Sequence, residues 1–245
     1  MSVVYIYMTN NYKKHKVTDL ICKNKYGTYI VPEEHKTNVI ITLKRGKIYE
    51  PNTIEFIRKN YDNKNIVTAG TYIGDFLPAF HNIPQVFAFE PVKENHIYAN
   101  INKNLNNLDN VTLENLCLSN INTKQNMVTH NARGFPHGGA SSIIQIDSLS
   151  ENERTEEVTS IKLDDYLNHN GSPISIIQLD VEGHETQVIE GGIKTIEKNK
   201  PIIIIESIPE KYIENKLFEL GYSYHHRKLH CNTILYIKNK HILNF

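Results

Sequence analysis

The sequence predicts an α/β protein with a Rossmann-like, doubly wound sheet that is mostly parallel and ends in an antiparallel C-terminal hairpin. Short apolar stretches alternate with segments of helical periodicity, which is typical of β-α-β crossovers. Two of these stretches, residues 174–179 and 201–205, are continuous apolar runs of the kind that parallel strands need when helices cover both faces. Residues 222–237 have the pattern of two strands around a polar middle. The predicted parallel strands are residues 66–69, 86–89, 111–118, 174–179 and 201–205.

The predicted helices lie between these strands, with one more in front of them. Pro51 follows Glu50 and favours a helix start, so a first helix is expected to run to about Asn60. We expect residues 1–48 to form a small β-rich extension with strands at 26–31 and 38–43, and residues 49–245 to form the main domain. The other predicted helices are residues 75–80, 93–105, 185–198 and 209–220.

Composition excludes several function classes. The chain has 245 residues, of which 40% are hydrophobic and 22% charged, as expected for a single folded domain. Basic and acidic residues number 27 each, so no overall field favours nucleic acid or an anionic membrane. The three cysteines lack zinc-ligand or disulfide spacing, and the N-terminus lacks the pattern of a secretory signal. We therefore expect a cytoplasmic protein with no membrane span; oligomeric state is left open.

Glycine and a carboxylate follow the first two predicted parallel strands. Gly70 and Gly74 would allow a tight turn after the first strand, although their GxxxG spacing does not meet the GxGxxG dinucleotide fingerprint. Glu90, followed by Pro91, stands at the tip of the second strand, where nucleoside-binding folds hold a ribose. The alternatives are an ordinary strand-to-helix turn and a solvated glutamate.

The end of the fourth predicted strand carries the strongest chemical signal. Asp180 follows the buried run directly, and Glu182, His184 and Glu185 come within the next turn. Ionisable groups crowded at a ligand crevice are suited to acid–base chemistry. For Glu185 we favour a structural role at the start of the following helix, where a carboxylate stabilises the helix dipole. For Asp180 we favour a functional role.

In these segments the chain resembles the FkbM family of class I S-adenosylmethionine-dependent methyltransferases. Members of that family mainly O-methylate hydroxyls of sugars and natural products. The resemblance runs in order over about residues 49–206 and implies S-adenosylmethionine as cofactor and a hydroxylated small molecule or glycan as partner. The segments that carry it are 66–76, 86–95, 111–120, 161–167 (IKLDDYL), 176–192 (IIQLDVEGHETQVIEGG) and 201–206 (PIIIIE).

The resemblance also implies roles for matching positions. Gly70, Thr71 and Gly74 would shape the pocket for the methionine half of the cofactor, and Asp75 would border it. Glu90 with Pro91 would hold the ribose. Cys117 and Leu118 would lie beside the adenine, and Asp180 would face both the methyl donor and the acceptor.

Two positions depart from the family pattern. The family usually has an acidic residue where this chain has Thr68, and commonly a lysine where it has Gln178. The acid normally organises the amino group of the cofactor, and the lysine is a candidate base or electrostatic contact. These departures motivate an alternative, a catalytically degenerate protein that serves as a binding or assembly module. An NAD(P)-linked oxidoreductase is disfavoured because the GxGxxG pattern is missing.

Candidate catalytic and acceptor-binding residues follow from the same segments. Asp180 and His184 are candidate bases for removing a hydroxyl proton. A glycine-containing stretch, residues 131–142, has the composition of a loop that covers an acceptor site, or of a plain surface excursion. If it covers the site, Arg133 and His137 would contact the acceptor together with Glu182.

Metal binding is an open alternative that the spacing does not demand. The histidines at 225, 226 and 230 could ligate a metal together with carboxylates, although an exposed hairpin with histidines is commoner. A hard cation such as Mg²⁺ could instead be held by Asp180, Glu182 and Glu206. We therefore assign no metal ligand from the sequence.

Overall fold

The computed structural model describes residues 19–144, 153–168 and 173–245. Its centre is a seven-stranded sheet with strand order β12-β13-β11-β10-β3-β4-β5. The strands of this sheet are β3 (Asn65–Ala69), β4 (Val86–Phe89), β5 (Val111–Glu114), β10 (Ile174–Leu179), β11 (Ile202–Ile205), β12 (Ser223–Tyr224) and β13 (Thr233–Tyr236).

Neighbouring strands from β5 to β11 pair in parallel, whereas β13 is antiparallel to both β11 and β12. The strand order runs outward from β3 in one direction and from β10 in the other, which is the topology of a doubly wound sheet. The predicted Rossmann-like class is confirmed, including its antiparallel C-terminal hairpin. A ligand crevice is expected above the carboxyl ends of β3 and β10, where the order reverses.

The main helices lie largely where their periodicity predicts them. The long helix α3 (Lys93–Leu105) has the predicted bounds, and the predicted helix 185–198 is divided in two at Gly192. The predicted helix 75–80 is reduced to a 3₁₀ turn, Leu77–Phe80, with a proline in its first turn. The helices of the main domain are α2 (Pro51–Asn60), α3 (Lys93–Leu105), α4 (Leu163–Leu167), α5 (Glu185–Gly191), α6 (Ile193–Asn199) and α7 (Lys211–Glu219).

The N-terminal segment is only partly β-structured. Strands β1 (Asp19–Lys23) and β2 (Thr28–Pro32) form an antiparallel hairpin, but the predicted strand at 38–43 is wrong: these residues lie in helix α1 (Asn38–Lys44). Thr37 caps this helix by accepting a hydrogen bond from the Ile40 N–H, at 3.3 Å. Ile40 and Leu43 are buried three residues apart, on one helical face. The cap and this spacing together outweigh the β-branched composition.

The N-terminal hairpin is attached to the main domain through Asn102 on α3. Its side-chain oxygen accepts a hydrogen bond from the Ile30 N–H at 2.7 Å, and its nitrogen donates to the Ile30 and Ile73 carbonyls at 3.1 and 2.9 Å. This buried amide therefore ties β2 to the turn that follows β3. The boundary at residue 48 stays a prediction.

A second sheet, of four strands, was not predicted. It has the order β6-β9-β7-β8. The predicted third strand, 111–118, is divided between the two sheets, because β5 ends at Glu114 and the last two residues pair with β9 instead. The strands of this sheet are β6 (Cys117–Leu118), β7 (Thr123–His130), β8 (Ser142–Ile144) and β9 (Arg154–Ile161). Residues 131–141, between β7 and β8, form the predicted irregular stretch.

The buried core is divided into two large apolar clusters, one centred on residues such as Leu179 and Ile203 and the other on Ile176 and Ile204. Neighbouring residues of each strand therefore face opposite sides, and both sides are covered. In the part of the chain that the structure describes, no helix has both the length and the apolar character that crossing a bilayer requires.

Candidate active site

Gly70 brings the ends of β3 and β10 into direct contact. The Asp180 N–H donates to the Ala69 carbonyl at 3.0 Å, and the Gly70 N–H donates to the Phe89 carbonyl at 3.0 Å. Gly70 has a φ of +79°, and a Cβ atom there would lie 1.7 Å from the Asp180 carbonyl oxygen. Only glycine fits such an approach, so the turn places Asp180 beside the end of β3.

Glu90 is buried at the tip of β4, and three protein groups hold its carboxylate. One oxygen accepts the Tyr72 N–H at 2.7 Å, and the other accepts the Val92 N–H at 3.0 Å and the Asn95 amide at 3.3 Å. Burial raises its pKa to about 7, and these hydrogen bonds oppose the rise. Two carboxylate oxygens offer about four acceptor positions, so part of the capacity remains for a ligand.

A first cavity, the apolar cavity, lies between Glu90 and the second sheet. It has room for about one or two water molecules, since its volume is about 30 Å³. Gly138 and Gly139, from the loop between β7 and β8, form part of its wall, and the Gly138 carbonyl accepts the Asn95 amide at 3.0 Å. The remaining lining residues include Ala69, Phe89, Pro91, Leu116, Cys117, Leu118, Met127, Ile143, Val181 and His184.

A second cavity, the acidic cleft, adjoins the first and has a volume of about 260 Å³. Gly70, Gly139 and Asp180 line both spaces, so Asp180 lies at their junction. The lining of the acidic cleft also includes Thr37, Tyr49, Glu50, Thr68, Thr71, Tyr72, Asp75, His137, Gln178, Glu182 and Glu206. Gly74 lies in the same turn, and its N–H donates to the Thr71 carbonyl at 2.7 Å.

The acidic cleft concentrates carboxylates in a partly buried space. Burial raises the pKa of Asp180 to about 8, and the adjacent Glu206 carboxylate adds to the rise by repulsion and by a hydrogen bond. Burial likewise raises the pKa of Asp75 to about 7, and that of Glu182 is raised by burial and by Glu206. A cleft of this kind favours a cationic ligand, because positive charge relieves the repulsion among the carboxylates.

His184 lies on the apolar side of the site. Its Nε2 is 3.0 Å from the Ser119 hydroxyl, and burial lowers its pKa to about 4. Gly191 allows this arrangement, since a Cβ there would lie 1.9 Å from the Ser119 carbonyl oxygen and would push α5 away. The ring is therefore neutral at pH 7 and lines the same cavity as Cys117 and Leu118. Its predicted catalytic role stays a prediction.

The two loop residues predicted to contact an acceptor have different positions. His137 lines the acidic cleft, and its buried Nε2 has no hydrogen-bond partner among the described residues. Arg133 is exposed and lines neither cavity. Sequence reasoning missed Tyr49, Glu50, Asn95 and Gly139, which lie outside the strand ends on which it concentrated. The turn-forming glycines at 138 and 139 were a signal for the loop but not for its location.

The sheet order, the glycine turn after β3, the buried carboxylate at the end of β4 and the acidic cleft define the fold of a class I S-adenosylmethionine-dependent methyltransferase. Residues 68–228 match the methyltransferase FkbM domain, which is well over half of the chain. The chain therefore belongs to the FkbM methyltransferase family. No curated protein sequence matches it.

Solved structures of methyltransferases resemble the chain at low sequence identity. The methyltransferase FkbM from Methylobacillus flagellatus is 15% identical with a TM-score of 0.48, and the similarity covers 71% of this chain and 43% of that one. The precorrin-6y C5,15-methyltransferase from Geobacter metallireducens is 12% identical with a TM-score of 0.43, covering 83% and 92%. M. jannaschii TYW2 in complex with AdoMet is 14% identical with a TM-score of 0.41, covering 94% and 88%.

Proposed function

We propose that the chain transfers a methyl group from S-adenosylmethionine to a hydroxyl of a sugar, glycan or other small molecule. The observation that carries the proposal is the position of Asp180 at the junction of an apolar cavity and an acidic cleft. A methyltransferase must bring a donor and an acceptor to one point, and these two spaces meet at Asp180.

The apolar cavity suits the adenosine half of the cofactor. Its lining by Phe89, Cys117 and Leu118 would contact a flat ring, while Glu90 would accept hydrogen bonds from the ribose hydroxyls. The Asn95 amide makes the longest of the three hydrogen bonds to Glu90, at 3.3 Å, and is the one most easily exchanged for a hydroxyl. A volume of about 30 Å³ is too small for adenosine, so the walls of the cavity would have to move outward before the ring enters.

The acidic cleft suits the charged methionine half of the cofactor. S-adenosylmethionine, when bound, supplies an activated methyl group on a sulfonium and also carries an ammonium group. Asp75 and Asp180 offer the negative charge that complements both, in a setting where burial strengthens the attraction. Thr71 and the turn at Gly70 and Gly74 would border the methionine chain.

The acceptor would lie in the rest of the acidic cleft. A hydroxyl becomes a competent nucleophile when a neighbouring base removes its proton as the new C–O bond forms and the C–S bond breaks. Asp180 accepts that proton after a nearby cation has lowered its pKa from about 8. His137 and Glu182 are positioned to hydrogen-bond other acceptor groups, whereas Arg133 would need movement of its loop to do so.

A direct test uses tag-free protein, radiolabelled S-adenosylmethionine and a panel of monosaccharides and oligosaccharides. We expect product with the mass increase of one methylene, and we expect Asp180→Asn to lower kcat by about 10²–10⁴-fold, the usual contribution of a general base. The matched control Asp109→Asn removes an exposed carboxylate far along the chain and should leave turnover unchanged. Unchanged turnover in Asp180→Asn would refute its role.

A catalytically degenerate binding module is the second candidate, because Thr68 and Gln178 place neutral side chains where the family usually has charges. Calorimetry with S-adenosylmethionine separates the two. An active enzyme binds S-adenosylmethionine with measurable heat and methylates its acceptor. A module that has lost the cofactor site shows no heat of binding at millimolar S-adenosylmethionine.

A further inference from the structure

A second polar cluster, the Glu50 cluster, lies at the start of α2. It joins Glu50 to His230 and Cys231, which are adjacent in the segment between β12 and β13. Glu50 also lines the acidic cleft, but the other two members of the cluster line neither cavity. The Glu50 carboxylate is 95% buried, and its Oε1 atom is 3.2 Å from Cys231 Sγ and 3.3 Å from His230 Nδ1. The third side of this triangle, from His230 Nδ1 to Cys231 Sγ, measures 3.5 Å.

These three distances fit three corners of a zinc coordination tetrahedron. Usual zinc bond lengths of about 2.3 Å to sulfur and about 2.0–2.1 Å to nitrogen or oxygen place the corners about 3.3–3.6 Å apart. The donor set of one thiol, one imidazole and one carboxylate is one that zinc accepts. Three protein ligands leave a fourth corner for water.

The surroundings of Glu50 match those of a metal-binding carboxylate. Its second oxygen, Oε2, accepts the Thr53 hydroxyl at 3.0 Å and the Asn232 amide at 2.6 Å. Those two bonds fix the carboxylate and leave Oε1 directed at the imidazole and the thiol.

The charge balance of the cluster points the same way. A buried carboxylate is costly without a cation, and among the described residues the only potential cationic partner of Glu50 within ion-pair distance is His230.

We propose that Glu50, His230 and Cys231 bind one zinc ion that fastens the C-terminal hairpin to the start of α2. Zinc binding releases the proton of the Cys231 thiol to solvent, and the neutral imidazole binds through Nδ1 with its own proton on Nε2. The ion links segments about 180 residues apart in sequence. It therefore stabilises the folded chain by mass action, since the unfolded chain has no such preformed site.

The test uses tag-free, chelator-treated protein titrated with Co²⁺ and with Zn²⁺. We expect one equivalent of Co²⁺ to give a thiolate-to-cobalt charge-transfer band, which Zn²⁺ then displaces. Cys231→Ser should abolish the band, and Thr53→Val should weaken Zn²⁺ affinity by about 10–100-fold through the freed Oε2. His226→Ala, which removes an exposed histidine of the same hairpin, is the matched control and should change neither.

Absence of the band in the unmodified chain, or its persistence in Cys231→Ser, would overturn the proposal. Co²⁺ held at the carboxylates of Asp180, Glu182 and Glu206 would bind without a charge-transfer band and would also count against the Glu50 cluster. If Cys231→Ser does not fold, the loss of metal in His230→Ala and its retention in His226→Ala decide the question.

Discussion

The Thr68 hydroxyl donates a hydrogen bond to Gln178 Oε1 across the neighbouring strands β3 and β10. The two residues are directly paired in the parallel register, and both side chains are buried at the floor of the acidic cleft. The two departures from the family pattern are therefore one structural change. A neutral hydrogen bond stands where the resemblance implies a carboxylate and an ammonium.

We predict that the Thr68–Gln178 pair tolerates joint replacement better than single replacement. Thr68→Asp alone buries a carboxylate beside an amide, and Gln178→Lys alone buries an unpaired ammonium, so each should lower the free energy of unfolding. In Thr68→Asp/Gln178→Lys the charges pair, and part of the loss should return as a favourable coupling energy of about 1–3 kcal/mol. Chemical denaturation of the four proteins measures this coupling; simple additivity of the two losses would contradict it.

We predict that Gly70→Ala abolishes cofactor binding and destabilises the protein. The new Cβ would collide with the Asp180 carbonyl oxygen and separate the ends of β3 and β10. Gly134→Ala is the matched control, because Gly134 has a similar φ of +76° but no neighbour within 4 Å of the added carbon. Thermal unfolding and calorimetry with S-adenosylmethionine separate the collision from backbone strain. Equal losses in both variants would show that strain alone is responsible.

We predict that the preference for S-adenosylmethionine over S-adenosylhomocysteine increases with pH. The pKa of Asp75 is raised to about 7 and that of Asp180 to about 8, so both carboxyls lose their protons as the pH rises through this range. The sulfonium charge, which S-adenosylhomocysteine lacks, is attracted only to the ionised forms. The dissociation constant of S-adenosylhomocysteine divided by that of S-adenosylmethionine should therefore rise from pH 6 to a plateau above about pH 8. Asp180→Asn should flatten this profile.

We predict that the carboxylate of Asp180 destabilises the ligand-free protein at alkaline pH. Its folded-state pKa, about 8, lies above the unfolded value, so between the two values the folded chain holds more protons than the unfolded chain. Stability from this group is then greatest below the unfolded pKa and declines as the pH rises toward about 8. The melting temperature of Asp180→Asn should exceed that of the unmodified chain by more at pH 8 than at pH 5. If the melting temperatures of the two proteins changed in parallel with pH, the raised pKa of Asp180 would be contradicted.

We predict that His184→Ala raises KM for the cofactor more than it lowers kcat. The ring lines the apolar cavity, and burial lowers its pKa to about 4, so at pH 7 it is neutral but only a weak base. His137→Ala, in the acidic cleft, should instead act on the KM for the acceptor. Steady-state kinetics with each substrate varied in turn measures both. A large fall in kcat for His184→Ala would contradict this prediction and support the catalytic role that the sequence predicts for His184.

The sequence by itself determined the parallel sheet and the residues at its strand ends. The apolar runs at 174–179 and 201–205 have few folded alternatives, because a run covered on both faces belongs inside a layered α/β structure. Parallel strands end at one edge of the sheet, and this rule was enough to bring Gly70, Glu90 and Asp180 to the lining of one cavity. Helix α1 was missed because local β-branched composition concealed its cap and its buried face.

The tertiary structure alone decided which distant side chains meet. The second sheet closes the apolar cavity. Its strands pair with partners that are distant in sequence, and the pattern of apolar residues along the chain does not show which strands pair. Glu50 and Cys231 are about 180 residues apart and show no ligand spacing along the chain. Spacing predicts a site only when its ligands share one element or one sheet edge, whereas contacts between separate segments depend on how the whole chain packs.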